Sequence, residues 1–383
     1  MSLRYGTVAS FIIRVKSMEL FKDACFSKSG MILGKELNHC FKCAYCRAND
    51  GKLADYSKWL PSELNPAFTN IPVLVNLFYG DPTLQVDSTM SLLDRLEESG
   101  HKGHVVIITK GDMNAIRKVW HPYNLDIHFG ISTFGIDSEY DGGNTNRFER
   151  NLDICKDMGV PYSIEFRPII KGVNDSDEVF EYVARVADKH NVGIGYCGLQ
   201  VSDETRARFE REGIKFEPYN EKVGFGLKKF ISKERDAALR NIASGIGVNV
   251  FKKTSCLIAT ANNSPDYNAH YYRPNEVGCN DCKNRARCVS YKENLFTNPD
   301  MERLNRIIPF EFELVDKTNH VCTLYQNGLC QFPSNDCMHI SGKMIKIADE
   351  ITTTDVRLIK WLTGYTVDAK FIEEPYMSTA WVK

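Results

Sequence analysis

The sequence of 383 residues carries almost no net charge, since 48 Lys and Arg face 49 Asp and Glu and leave −1 with the histidines neutral. No global positive field is available to hold a polyanion, so charge gives nucleic acid no support, although a local basic groove stays open. Long apolar runs are missing as well. The longest near the start, FIIRV at 11–15, falls far short of the ~20 residues of a membrane span, and no signal-peptide pattern follows it. The expected compartment is therefore the cytoplasm, with no membrane partner. Internal repeats and low-complexity tracts are absent. With 43% hydrophobic and 25% charged residues, the chain can bury the core of one large domain with additions, or of two to three domains.

What the chain does have is cysteine. An odd 13 without a secretion signal argues against a disulfide framework and for metal ligation in a reducing environment. The cysteines are clustered: Cys40, Cys43 and Cys46, then Cys279, Cys282 and Cys288, then Cys322, Cys330 and Cys337. Cys25, Cys155, Cys197 and Cys256 stand alone, and an isolated cysteine is most often a small buried hydrophobe.

Strand-like and helix-like segments alternate through the first two thirds of the chain. GMILGKELN (30–38), VLVNLFYG (73–80), HVVIIT (104–109), LDIHFGIST (125–133), YSIEFRPII (162–170), VGIGYCGLQ (192–200) and VNVFKK (248–253) read as strands. Amphipathic stretches at 87–100, 144–159, 175–190 and 232–247 read as helices, with Asp87 or Ser88 available to cap the first. Such units imply parallel strands with right-handed crossovers, and roughly six or seven of them fall short of the eight of a complete barrel. The expected fold class is α/β, a partial (β/α)6-type barrel with a loop-rich C-terminal metal module. The expected divisions are an N-terminal extension at 1–29, the barrel at 30–252, the metal module at 253–300 and a mixed C-terminal region at 301–383 with a helix at 352–365. Trp361, Tyr365, Tyr376 and Trp381 in that last region read as core aromatics or as a cover for the barrel mouth.

The run NHCFKCAYCRAND spaces Cys40, Cys43 and Cys46 at equal steps of three. A ferredoxin-type run would continue with cysteine and proline at positions that hold Asp50 and Gly51, so that pattern fails. Two options stay open: a zinc site that recruits His39 or a distant cysteine, and an Fe–S cube held at three corners. Three further segments lie downstream. FYGDPTLQ (78–85) is a Gly-Asp-Pro turn closing a strand, Ser132 sits at the tip of GISTF, and PIIKGVND (168–175) either forms a plain strand-to-helix loop capped by Asn174 or Asp175 or marks a ligand site. All fall at strand C-terminal ends, the rim on which barrel folds build active sites.

In this order the motifs resemble those of the radical S-adenosylmethionine (radical SAM) enzymes, over roughly residues 30–250. The chain carries the CAYC half of that family's cysteine loop, including Tyr45, but its first interval is one residue shorter. Cys40 is the simplest third ligand, and His39 the alternative. The resemblance implies a [4Fe–4S] cluster on Cys40, Cys43 and Cys46, with S-adenosylmethionine on the open iron. It implies cofactor contacts from Tyr45, from Tyr79, Gly80, Asp81 and Pro82, from Ser132, and from Gly172 in the KGVND element. Lys110 and Arg167 are offered as cations for the methionine carboxylate, against the plainer reading of a solvated lysine and a packing arginine. The TK element at 109–110 looks closest to the spore photoproduct lyase-like branch. Tyr79 stands where that branch's founding enzyme has its hydrogen-donating cysteine, which speaks against photoproduct repair and leaves Cys197 as a candidate donor or a buried structural thiol.

Cys279, Cys282 and Cys288, with Cys256 upstream, are similar to the SPASM or twitch extensions of the same superfamily, and imply an auxiliary [4Fe–4S] cluster. Zinc on the same four thiolates is the competitor. Cys322, Cys330, Cys337 and His339 are spaced more widely than a zinc knuckle, which leaves a third metal site open or one of them in the place of Cys256. The function so implied is reductive cleavage of S-adenosylmethionine to a 5′-deoxyadenosyl radical for hydrogen abstraction from a peptide or protein side chain or a small molecule. The implied partner is a low-potential electron donor of flavodoxin or ferredoxin type. A nucleotide- or nucleic-acid-modifying lyase and a non-enzymatic zinc or Fe–S scaffold remain alternatives.

Overall fold

Short runs of Val, Ile and Phe bounded by Gly, Pro and Asn suit a buried pleated surface, and they form the strands here. The computed structural model describes residues 25–27, 30–33, 43, 45, 66–75, 80–141, 147–199, 203–211, 213, 231–267, 282–316, 343–372 and 380. The main sheet contains β1 (Cys25–Ser27), β2 (Gly30–Leu33), β3 (Val73–Val75), β4 (His104–Thr109), β5 (Asp126–Thr133), β6 (Tyr162–Ile169), β7 (Ile194–Gly198) and β8 (Val250–Phe251). From β2 to β8 the strands lie side by side in chain order and run parallel, while β1 adds antiparallel at the edge. No pairing closes β8 onto β2 among the described residues, so the α/β sheet is that of an open barrel.

The crossovers are helical. They comprise α1 (Val86–Glu98), α2 (Asn114–Arg117), α3 (Phe148–Asp157), α4 (Asp177–His190), α5 (Asp203–Arg211) and α6 (Lys233–Ile246). Leu93 and Leu96 of α1, Leu152 of α3, Phe180 and Val183 of α4 and Leu239 of α6 share one core with Val105, Phe129, Ile164 and Phe166 of the strands. This helix-covered face is called outer below. The opposite, inner face packs Ile32, Leu74 and Val106 against Ile258 of α7 (Thr254–Ala261).

Two capping expectations are corrected. Helix α1 begins one residue before Asp87, with Gln85 at the cap position making no side-chain cap bond, so Asp87 serves in the first turn instead. Helix α4 is capped by Ser176, whose hydroxyl accepts from the Val179 N–H. Of the two residues offered for that role, Asp175 accepts from the Gly172 N–H instead, and Asn174 is fully buried and joins the loop to the sheet. Its Oδ1 accepts from the Ile170 N–H at 2.6 Å, and its amide donates to the Phe134 and Pro168 carbonyls at 2.9 and 3.0 Å.

Beyond the barrel come α8 (Arg285–Thr297), α9 (Met301–Ile307), β9 (Phe312–Asp316), β10 (Lys343–Thr352), α10 (Thr353–Thr363) and β11 (Thr366–Ile372). Strand β10 is central, parallel to β11 and antiparallel to β9. A capping box between Thr352 and Asp355 starts α10, the expected 352–365 helix. Leu358, Ile359 and Tyr365 join the outer-face core, and Trp361 packs against it, so these two aromatics are core residues. Tyr376 and Trp381 lie outside the described residues. No helix among the described residues is long and apolar enough to cross a membrane.

Candidate functional site

The C-terminal ends of β3, β4 and β5 meet in a network of buried polar groups. After β3 the backbone turns through Gly80 at φ 126, a conformation that excludes a Cβ at low cost. Asp81 follows, 8% exposed, with Pro82 and Thr83 buried beside it. Its Oδ1 accepts from the Thr83 N–H at 2.9 Å, the Thr83 hydroxyl at 2.7 Å and the Thr109 hydroxyl at 2.5 Å. Its Oδ2 accepts from the Lys110 N–H at 3.0 Å. The carboxylate thus ties the Gly-Asp-Pro turn to the end of β4, and it fixes the main chain of Lys110.

The Lys110 side chain reaches across the rim. Its ammonium lies 2.9 Å from Cys43 Sγ and 3.3 Å from the Tyr45 hydroxyl, and it pairs with the Asp141 carboxylate and carbonyl. Cys43 in turn donates to the Asp141 carbonyl at 2.7 Å, and the Tyr45 hydroxyl donates to the Asp141 carboxylate. The Tyr45 ring stacks on Phe134, 5.7 Å between centroids and 8° between planes. Burial pushes the Cys43 thiol up, against the pull of Lys110. Burial, reinforced by Cys43 and Asp141, holds the Tyr45 phenol well above its ordinary value. Cys43 is in no disulfide, so a buried sulfur beside an ammonium is available to a metal that displaces its proton.

A second charged group sits on the inner face. Glu165 is 1% exposed and pairs with Arg167 at 2.8 Å. Burial works most strongly against the guanidinium charge, but Glu165, Cys197 and Tyr267 together outweigh it and Arg167 is held above its ordinary value. Arg167 also hydrogen-bonds Cys197, which is half-buried. A Cβ on Gly195 would stand 2.7 Å from Glu165 Oε2, so only glycine leaves room for this carboxylate between the strands. Ser132 is paired in register with Glu165 across β5 and β6. Gly172 adopts φ 73 and donates its N–H to Asp175 Oδ1 at 2.8 Å in the loop after β6.

Around the auxiliary cysteines, the Asn284 side-chain amide donates to the Ser264 carbonyl at 2.7 Å and approaches Cys288 Sγ at 3.7 Å. Burial raises the Cys288 thiol, the Asp266 N–H lowers it, and the Asp266 and Cys282 charges raise it further. Cys256, on α7, acts on Tyr267, which also feels Glu165 and Arg167. No group of three or more His, Cys, Asp or Glu side chains gathers as a metal site among the described residues. Cys40, Cys46, Tyr79 and Cys279 lie outside those residues, as do Cys322, Cys330, Cys337 and His339. A cavity of about 250 Å³ lined by His104, Ser264, Asp266, Tyr267, Tyr291 and Trp361 opens at the other, N-terminal end of β4, away from the rim.

The rim brings together Cys43, Tyr45 and Lys110, with Asp81 holding the lysine backbone. Arg167 and Cys197 meet each other instead, on the inner face. Asp141 and Glu165 were not singled out from the sequence. For Glu165 a signal exists, a Glu and Arg two residues apart in an otherwise apolar strand, whereas Asp141 has none.

No protein-family model matches the chain, and no curated protein sequence matches it. Among solved structures, a radical SAM methyltransferase from Sphaerobacter thermophilus is 16% identical, over 59% of this chain and 67% of that one, with a TM-score of 0.39. Streptococcus suis SuiB is 15% identical over 63% of this chain and 56% of its own, with a TM-score of 0.37. Neighbours this distant define neither a family nor a substrate for the chain.

Proposed function

We propose that the chain is a radical SAM enzyme. Cys40, Cys43 and Cys46 would hold a [4Fe–4S] cluster with one iron left for S-adenosylmethionine; together these groups supply a 5′-deoxyadenosyl radical once an electron arrives from a flavodoxin- or ferredoxin-type donor. The single observation that carries the reading is the seating of Cys43 and Tyr45 on Lys110 and Asp141, at the C-terminal rim of a parallel sheet and next to the Asp81 turn. The donor set fits: Cys43 is a buried thiol in no disulfide beside a fixed cation, so its sulfur can pass to a cluster iron that displaces the thiol proton.

The chain's own work is then to bind, orient and exclude water. The Gly80–Asp81–Pro82 turn fixes the backbone beside the cofactor, and Ser132 and Gly172 sit at neighbouring strand ends. Arg167, anchored by Glu165, places Cys197 on the inner face, where its thiol is offered as a hydrogen donor. Cys256, Cys279, Cys282 and Cys288 are assigned to an auxiliary cluster. A peptide or protein side chain is the favoured substrate, and a nucleotide or nucleic acid the alternative.

Anaerobic reconstitution followed by iron, sulfide and zinc analysis tests this. The reading expects iron and sulfide in wild type, a loss of the S-adenosylmethionine-responsive cluster signal in Cys43→Ala, and partial retention of iron in Cys288→Ala. Zinc without iron would instead support a scaffold protein.

A further inference from the structure

We infer that Asp141 is a positioning residue that docks the cysteine loop onto the sheet before any metal arrives. The inference rests on the radical SAM reading for its purpose, but its geometry stands on the residues alone. Both described loop residues converge on Asp141: the Cys43 thiol at its carbonyl, 2.7 Å away, and the Tyr45 hydroxyl at its carboxylate. Lys110 closes the set by pairing with the same carboxylate while its ammonium touches Cys43 Sγ at 2.9 Å.

The anchor is built from the barrel side. Asp141 ends a short 3-10 turn, Glu139–Asp141, in which its N–H donates to the Ser138 carbonyl at 3.1 Å and the Tyr140 N–H to the Ser138 hydroxyl at 3.2 Å. Tyr140 packs into the apolar cluster of Phe134, Ile170, Leu199 and Phe209, on which the Tyr45 ring also rests. Lys110 is equally fixed, its N–H held by Asp81. The two charges that receive the loop are therefore set by the turn and by β4, and the loop is the part that docks. A loop held in place beforehand loses less conformational freedom when ligands close on a metal, so site assembly is favoured. The same pairing accounts for Lys110: its charge is matched by Asp141, and the pair together faces Cys43.

The test uses the full chain, metal-free and anaerobic, with iodoacetamide as the probe and peptide mass spectrometry as the readout. Asp141→Ala keeps the carbonyl that meets Cys43 but removes the carboxylate that holds Tyr45 and Lys110, and should raise the alkylation rate of Cys43 by about ten-fold, the scale of those lost charge-assisted contacts. Asp141→Asn, which keeps an acceptor for Tyr45, should raise it less. Cys155, fully buried on α3, is the internal control and should stay unreactive. If Cys155 reacts in Asp141→Ala, that variant has lost its fold, and Tyr45→Phe decides: it removes one hydroxyl and should speed Cys43 labelling about three-fold. Because the Asp141 charge itself raises the Cys43 thiol, the deciding variant is Tyr45→Phe, which leaves that charge in place: a Cys43 rate equal to wild type in Tyr45→Phe overturns the inference. Iron uptake separates it from the functional reading. Slower incorporation in Asp141→Asn than in wild type supports the docking role, and a wild type that takes no iron at all but shows the labelling differences sinks the function while leaving the docking intact.

Discussion

Along β6 the residues alternate between two environments. Ile164 and Phe166 enter the outer core, where Phe166 meets Phe180 edge-on at 5.9 Å, while Glu165 and Arg167 pair on the inner face. The outer face is apolar over all of its parallel strands, and its burial accounts for stability. On the inner face, polar and charged groups are taken out of water and satisfied within the protein: Glu165 by Arg167, and His128 by the Ser163 hydroxyl at 2.8 Å. A fold that needed only a core would repeat the outer face twice. Buried pairs of this kind are weak contributors to stability, so the inner face has the character of a site, and the rim network of Lys110, Asp141 and Cys43 extends it.

The two faces differ most sharply at Glu165. Glu165→Ala leaves Arg167 without its partner and is expected to cost about 3–5 kcal/mol in urea unfolding, with Glu165→Leu/Arg167→Leu less destabilised than Glu165→Ala. A cost near zero would mean the pair is solvated and the inner face ordinary surface. Acid gives the next effect. Burial drives His128 down to about 4, against the opposing pull of Asn262 and Asp126. Because the unfolded chain binds that proton more readily, stability is full above pH 6.5, falls as the pH drops from 6.5 to 4 and levels off below that. The loss is on the order of 3 kcal/mol, and His128→Asn should flatten that part of the pH–stability curve.

Smaller effects mark out the rest. Gly195→Ala should cost about 1–3 kcal/mol through its clash with Glu165 Oε2, and shortening the acid in Gly195→Ala/Glu165→Asp should relieve part of it if the glycine exists to make room. On the outer face, Ile164→Val should cost only about 0.5–1.5 kcal/mol in the same assay, with no dependence on pH.

The outer face is also the half that the sequence displays. HVVIIT is β4 residue for residue, and LDIHFGIST and YSIEFRPII differ from β5 and β6 by one residue at an end, because continuous apolar runs bounded by turn residues permit few other conformations. Helix α7 was hidden for the same reason turned around: SCLIATA is a short apolar run in which period cannot separate helix from strand, and it precedes a stretch dense in Asn, Pro and Tyr. Helix α8 has little amphipathic character to declare it, and β9–β11 lie in a region whose pairing is long-range. The turn at Gly80–Asp81–Pro82 was legible as a turn because its chemistry is local. Asp141 was not, since its partners Cys43 and Lys110 stand 98 and 31 positions away and nothing beside it in the chain marks it.

The most direct test of the central claim is to reduce the anaerobically reconstituted protein with S-adenosylmethionine present and quantify 5′-deoxyadenosine by chromatography. Wild type is expected to form it and Cys43→Ala is not. An iron–sulfur-loaded wild type that forms none, or one whose yield is untouched by Cys43→Ala, would contradict that claim.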